Sequence, residues 1–114
     1  MKVNEYFDKV VVINLDRRTD RMEKVDAQLK ELGIEYERFS AVDAQALGID
    51  PIQACKQSHT QVLEESTGMT LILEDDVLFM ENFNERFAEF VALLPDDWNI
   101  FYLGAVLLLS LIHI

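Results

Sequence analysis

Four apolar stretches along the chain have the length and composition of β-strands. Residues 10–15 are almost continuously apolar and rich in β-branched side chains, which predicts a strand covered on both faces. Residues 36–42 and 69–73 predict a second and a third strand, and residues 98–103 predict a fourth that Gly104 closes.

Three segments between these strands show the periodicity of amphipathic helices. Thr19 is predicted to cap a helix that runs to Leu32 and stops at Gly33. Its apolar face contains Met22, Val25, Leu29 and Leu32.

The second and third helices have their own start and stop signals. Asp50 and Pro51 predict the cap and first turn of a helix that ends at Gly68. Its expected apolar stripe consists of Ile52, Cys55, His59, Val62 and Leu63. The third helix ends before Pro95, and its apolar positions are Phe83, Phe87, Phe90, Val91 and Leu94.

The alternation of strands and helices predicts a single α/β domain with a mainly parallel sheet flanked by helices. Successive parallel strands end at the same edge of the sheet, and ligands bind there in this class of fold. The segment from Asn14 to Arg18, the region of Asp43, the segment from Glu74 to Asp76, and Gly104 should therefore face one crevice.

An acidic triplet follows the third strand. Glu74, Asp75 and Asp76 stand between two apolar runs, so they belong where a buried strand reaches the surface, because an unpaired buried carboxylate is costly. Carboxylates at 4 Å repel one another by roughly 1 to 4 kcal/mol per pair. A hard divalent cation such as Mg²⁺ or Mn²⁺ would relieve that repulsion. The alternative is a solvated acidic turn.

Composition and charge narrow the class of protein. The chain has 114 residues, of which 50% are hydrophobic and 27% charged, as in a globular domain. A net charge of −11 argues against nucleic-acid or anionic-membrane binding. The single cysteine excludes an intrachain disulfide, and the first residues lack the apolar core of a signal peptide, so we expect a cytoplasmic protein.

A basic cluster follows the first strand. Four of the ten basic residues of the chain lie within eight consecutive positions: Arg17, Arg18, Arg21 and Lys24. Arginines opposite an acidic metal site would suit a diphosphate, because arginine binds phosphate oxygens bidentately. Neither GxGxxG nor GxxxxGK[ST] occurs, which leaves the metal to carry much of the phosphate binding.

Four segments in order resemble glycosyltransferase family 25, the lipooligosaccharide galactosyltransferases and their collagen-modifying relatives. They are residues 11–22 (VVINLDRRTDRM), 39–43 (FSAVD), 54–59 (ACKQSH) and 71–77 (LILEDDV). The resemblance covers roughly residues 10 to 80. It implies a GT-A-like fold, a UDP-sugar donor, Mn²⁺ or Mg²⁺, and inverting transfer of a sugar, commonly galactose, to a saccharide or lipooligosaccharide acceptor.

The resemblance also implies roles for individual residues. Glu74 to Asp76 would take the part of the DxD motif, with Asp76 as the best metal ligand and Glu74 as a ligand nearer the ribose. The candidates for binding the donor are Asn14, Asp16, Arg17, Arg21, Asp43, Glu74 and Asp75. Among them, Arg17 and Arg21 would hold the diphosphate and Asn14 the uracil or ribose.

Simpler interpretations stand beside these roles. Arg17 and Arg21 could be solvated surface residues, and Asn14 and Asp43 could serve only local structure. Cys55 and the aromatic residues of the third helix are expected to pack in the core. The same is expected of His59. The i, i+4 spacing of Cys55 and His59 supplies only two ligands and does not by itself make a zinc site. The adjacent Ser58 and His59 give no evidence of a nucleophilic pair.

The end of the chain departs from the family pattern. We expect residues 1–104 to form the nucleotide-sugar-binding half and residues 105–114 to be an atypical apolar tail. The catalytic base, the acceptor site and any peripheral contact with the inner face of a membrane would then lie in a missing half. The truncated chain should bind donor weakly and transfer nothing.

Two alternatives belong to other functional classes. One is a non-catalytic sugar-nucleotide-binding or interaction domain. The other is a phospho-acceptor receiver domain, whose acidic pair, however, follows the first strand rather than the third.

Overall fold

A computed structural model describes residues 2–94, 101–102 and 112–113 of the chain. These residues form five helices and five strands, in the order α1 (Val3–Tyr6), β1 (Lys9–Asn14), α2 (Thr19–Leu32), β2 (Glu37–Ser40), α3 (Ala44–Leu47), α4 (Pro51–Glu65), β3 (Thr70–Glu74), α5 (Phe83–Leu93), β4 (Phe101–Tyr102) and β5 (Ile112–His113).

A three-stranded parallel sheet with the order β2-β1-β3 forms the centre of the fold. The strand β1 lies in the middle and is buried on both sides, as its continuous apolar sequence predicts. The fold is therefore α/β and Rossmann-like, which confirms the predicted class.

The larger part of the core covers one face of this sheet. Val10 and Val12 of β1 pack there with Val25 and Leu29 of α2 and with Phe87 of α5. The predicted buried face of α2 is thus confirmed. In α5, Phe87 is buried and Phe83 packs against the same cluster, while Phe90 is half-buried.

The other face of the sheet carries α4. Val11 and Ile13 of β1 pack there against Val62. The predicted apolar stripe of α4 is largely wrong, because Ile52 is 69% and Leu63 56% exposed.

The buried face of α4 consists instead of Ala54, Ser58 and Val62, at i, i+4, i+8 spacing. Ala54 and Ser58 have small side chains, and that of Ser58 is polar, so this buried face carries little of the hydrophobic signal that pattern analysis detects. Ser58 is buried because its hydroxyl donates to the carbonyl of Ala54 and accepts from the amide of Val42, at 3.1 and 2.9 Å.

The helix ends show which local signals were reliable. Gly33 ends α2 in the left-handed conformation, and the carboxylate of Asp50 caps α4 with Pro51 in the first turn, both as predicted. The expected cap at Thr19 is wrong, because the helix already includes this residue and Arg18 occupies the cap position, where its side chain makes no capping hydrogen bond. The helix α4 ends at Glu65 rather than at Gly68, because the next residue, Ser66, has an extended backbone conformation.

The predicted fourth parallel strand, residues 98–103, is not confirmed by the two of its residues that the structure describes. Of residues 98–103 the structure describes Phe101 and Tyr102, which pair antiparallel with Ile112 and His113 in a separate ribbon. Antiparallel pairing needs only a short connection, whereas a parallel strand needs a long crossover. The other residues of the predicted tail, 105–111 and 114, lie outside the described residues. In the part of the chain that is described, no helix has the length and apolar character required to cross a membrane.

Two leucine-to-alanine substitutions test this assignment of buried and exposed faces. Leu29→Ala should lower the free energy of unfolding by about 2–5 kcal/mol, because Leu29 is fully buried. Leu63→Ala, the matched control on a helix surface, should change it by no more than about 0.5 kcal/mol. Urea denaturation of both variants gives the comparison. Equal losses would show that Leu63 packs in the core, as the apolar pattern of α4 had indicated.

Candidate functional site

A cavity of about 580 Å³ lies at the edge of the sheet where the parallel strands end. The register places Ile13 beside Glu74 and Asn14 beside Ser40, so the segments that follow the three strands leave from the same edge. The charged residues that line the cavity are Arg17, Arg21, Asp43, Glu74, Asp75 and Asp76. Six of the predicted site residues therefore converge in one cavity.

The side chain of Asn14 lies beneath this edge and is only 2% exposed. Its amide nitrogen donates to a carboxylate oxygen of Asp75 at 2.7 Å and to the carbonyl of Arg18 at 3.1 Å. Its amide oxygen accepts from the guanidinium of Arg38 at 3.0 Å. Both amide hydrogens are thus used by protein groups, and Asn14 holds the ends of the strands together. The predicted contact of Asn14 with a donor stays a prediction.

Asp75 is the most buried of the three acidic residues, with 11% of its side chain exposed. One carboxylate oxygen accepts from Asn14, and the other lies 3.5 Å from a guanidinium nitrogen of Arg21. The middle residue of the triplet is therefore engaged by the protein, and it fixes the backbone that presents its two neighbours.

Asp43 and Arg17 form a second charged pair in the lining of the cavity. The guanidinium of Arg17 donates to both carboxylate oxygens of Asp43, at 3.1 and 3.5 Å. The same carboxylate caps the short helix α3 by accepting from the amides of Gln45 and Ala46. The hydrogen bonds from Arg17 lower the pKa of Asp43 below its usual value of 3.8.

Asp16 faces a different part of the edge. It accepts from the guanidinium of Arg38 at 2.6 Å and from the hydroxyl of Ser40 at 2.8 Å, and these bonds lower the pKa of its carboxyl group. Asp16 and Asn14 line a second cavity of about 390 Å³, separate from the one that holds the acidic triplet.

Arg38 is a residue that sequence reasoning missed. Its guanidinium contacts the side chain and carbonyl of Asn14 as well as Asp16. The signal that could have identified it is an arginine in the interior of a predicted strand, residues 36–42.

The remaining acidic residues are accessible from the cavity. Glu74 has 55% of its side chain exposed, and the exposed carboxylate of Asp76 has no hydrogen-bonding or ion-pair partner among the described residues. Four carboxylates and two guanidiniums line the cavity, so its lining carries an excess of two negative charges. Such a set of hard oxygen donors fits a divalent cation that shares its remaining positions with phosphate oxygens.

Cys55 and His59 also line this cavity, which sequence analysis did not foresee. The prediction that Cys55 packs in the core is wrong, because it is exposed, and His59 is half-buried at the surface. The core-facing side of α4 is taken by its small residues, so these two side chains turn toward the end of β3. Burial of the sulfur together with the nearby Glu74 carboxylate raises the pKa of the Cys55 thiol.

Comparison with known proteins finds one matching family and several relatives whose names refer to glycosyltransferases. Residues 7–71 match the family described as "Glycosyltransferase family 25 (LPS biosynthesis protein)". The chain is 27% identical to procollagen galactosyltransferase 2 of Homo sapiens, over 86% of the chain and 21% of that protein. It is 33% identical to the inactive glycosyltransferase 25 family member 3 of Homo sapiens, over 86% of the chain and 22% of that protein. It is 28% identical to a glycosyltransferase 25 family member of Aedes aegypti, over 83% of the chain and 21% of that protein.

The chain spans about a fifth of the length of these relatives. No solved structure matches the chain significantly.

The pairing of Arg17 with Asp43 can be tested by NMR titration of the side-chain carboxyl groups. The pKa of Asp43 should lie below 3.8 in the parent protein and should rise in Arg17→Gln, because the strongest hydrogen bonds to its carboxylate are then lost. Since folding lowers this pKa, the stabilisation is present at neutral pH and is lost as the pH falls through the folded-state pKa. Asp26, whose pKa is lowered by hydrogen bonds from Tyr36 and Lys30, is the internal control and should titrate unchanged. An unchanged Asp43 titration in the variant would contradict the pairing.

Proposed function

The chain belongs to glycosyltransferase family 25, and on that basis we propose that its cavity binds a nucleotide-sugar donor for hexosyl transfer to a glycan. In the whole protein the donor is a UDP-sugar such as UDP-galactose, and the acceptor is a saccharide or a lipooligosaccharide. The name of the procollagen galactosyltransferase among its relatives supports the choice of galactose.

The observation that carries this proposal is the charge composition of the cavity. An anionic diphosphate would be repelled by a lining with two more carboxylates than guanidiniums. One divalent cation supplies the two positive charges that offset this excess. A donor with a diphosphate should therefore bind together with Mn²⁺ or Mg²⁺, and only weakly without it.

The residues present can hold such an ion. Asp76 and Glu74 offer accessible carboxylates on either side of Asp75, which is fixed by Asn14 and Arg21. Two carboxylates with phosphate oxygens and water are a usual coordination set for Mg²⁺ in nucleotide sites. When bound, the ion would stabilise the negative charge that develops on the departing diphosphate.

The two arginines of the cavity are placed to contact the phosphates. Arg17 and Arg21 are 52% and 43% exposed, and each is paired with a carboxylate of the same cavity. A guanidinium has five N–H donors, so each can keep its carboxylate and still donate to a phosphate oxygen. The carboxylates thus hold the arginines in place before the donor arrives.

Sugar transfer with inversion also requires a general base that deprotonates the acceptor hydroxyl. We assign this role to no described residue, because each carboxylate of the cavity is already assigned to a protein partner or to the metal. We propose that residues outside the 114 of this chain supply the base and the acceptor site. The chain alone should then transfer no measurable sugar.

The metal site is tested by calorimetric titration of UDP with and without Mn²⁺. In the parent chain Mn²⁺ should increase UDP affinity. In Asp76→Asn this increase should fall by at least about tenfold, because even the loss of a residue that only supports a metal ligand typically lowers metal affinity by about 10–100-fold. Glu64→Gln removes an exposed carboxylate on α4 away from the cavity and should behave like the parent. Equal Mn²⁺ dependence in Asp76→Asn and the parent would exclude Asp76 as a ligand.

A second candidate function is donor binding without transfer. It is favoured by the relative whose name describes it as inactive, which is 33% identical to this chain. The two functions are separated by assaying a protein that contains this chain and the rest of its reading frame with UDP-galactose and a panel of glycans. Transfer supports the enzyme, whereas Mn²⁺-dependent UDP binding with no transfer to any acceptor supports the binding domain.

A further inference from the structure

Three side chains with metal-binding atoms meet at the junction of α4 and β3. They are Cys55 and His59, one helical turn apart on α4, and Glu74 at the end of β3. One candidate ligand atom from each lies within 4.8 Å of the other two. The helix alone offers only two ligands, and the third comes from a strand 15 residues farther along the chain.

The distances within this cluster approach those of a metal site. The sulfur of Cys55 lies 3.6 Å and Nε2 of His59 lies 3.9 Å from the same carboxylate oxygen of Glu74. Around a tetrahedral zinc ion, the usual bond lengths place sulfur, nitrogen and oxygen ligands about 3.4–3.6 Å apart. Small rotations of these side chains are enough to reach that spacing, since all three are at least partly exposed.

The donor types select a borderline or soft ion rather than a hard one. Thiolate and imidazole favour Zn²⁺ and Co²⁺, while Mg²⁺ and Mn²⁺ prefer sites made of oxygen alone. Three protein ligands leave one of four positions open, and this cluster lines the cavity, so that position would face the cavity.

We propose that Cys55, His59 and Glu74 form a binding site for a single Zn²⁺ ion at the wall of the donor cavity. The site is distinct from the proposed Mn²⁺ site in two of its three ligands and in the kind of ion that it selects. Glu74 is common to both, so a chain with zinc bound has one fewer carboxylate for the donor's cation.

Cobalt is the appropriate probe, because Co²⁺ occupies zinc sites and a thiolate ligand gives it a charge-transfer absorption band. Cys55 is the only cysteine of the chain, so such a band can arise only from this residue. The 114-residue chain, kept reduced and free of nucleotide, should bind one Co²⁺ with this band, and one equivalent of Zn²⁺ should abolish it. The result does not depend on donor binding, so the two proposals can fail separately.

Variants identify the other ligands. Cys55→Ser should lose the charge-transfer band. His59→Gln and Glu74→Gln should each weaken Co²⁺ binding by at least about tenfold, because even the loss of a residue that only supports a metal ligand typically lowers metal affinity by about 10–100-fold. His113→Gln changes the only other histidine of the chain and should leave binding unchanged. Circular dichroism checks that each variant keeps the parent fold.

Three outcomes would overturn this site. The first is a parent chain with no thiolate band at saturating Co²⁺. The second is a stoichiometry of one ion per two chains, which would mean that the metal bridges molecules. The third is His59→Gln or Glu74→Gln binding Co²⁺ as tightly as the parent, which would leave only a thiol that binds metal by itself.

Discussion

The hydrogen bonds of one buried amide hold the functional edge of this fold together. Asn14, the last residue of the central strand, contacts Arg38 from one neighbouring strand and Asp75 just after the other. A buried polar group is costly unless its partners are in place, so this residue constrains all three strand ends at once. The positions of the acidic triplet and of the arginines depend on that constraint.

Because the strand ends are fixed, the cavity can contain both arginines and carboxylates while some of the carboxylates stay unpaired with an arginine. Asp43 and Asp75 each pair with an arginine, and these pairs set the shape of the walls. Glu74 and Asp76 remain accessible and give the cavity its excess of negative charge. The protein thus separates carboxylates that maintain structure from carboxylates that are free to bind a ligand, although the three acidic residues of the triplet are adjacent in sequence.

Much of this arrangement could be predicted from sequence, because it follows from strong local signals. The β-branched run in residues 10–15 predicted a strand buried on both faces, and parallel topology then predicted that the acidic triplet and Arg17 would share one edge. The contact face of α4 could not be predicted in this way, because Ala54 and Ser58 bury little apolar area and give almost no hydrophobic signal. The cluster of Cys55, His59 and Glu74 was missed for a related reason. It requires the orientation of α4 relative to β3, which helical periodicity does not contain.

We propose that the carboxyl edge of the sheet binds a divalent cation together with a nucleotide diphosphate. This proposal is tested by paramagnetic broadening of backbone amide NMR signals by Mn²⁺ in the presence of UDP. We expect the broadening to be strongest for residues 74–76 and for the segments around Arg17 and Asp43, and to require UDP for full strength. Strongest broadening at the opposite edge, around Lys9 and Thr70, or broadening spread evenly along the chain, would contradict it.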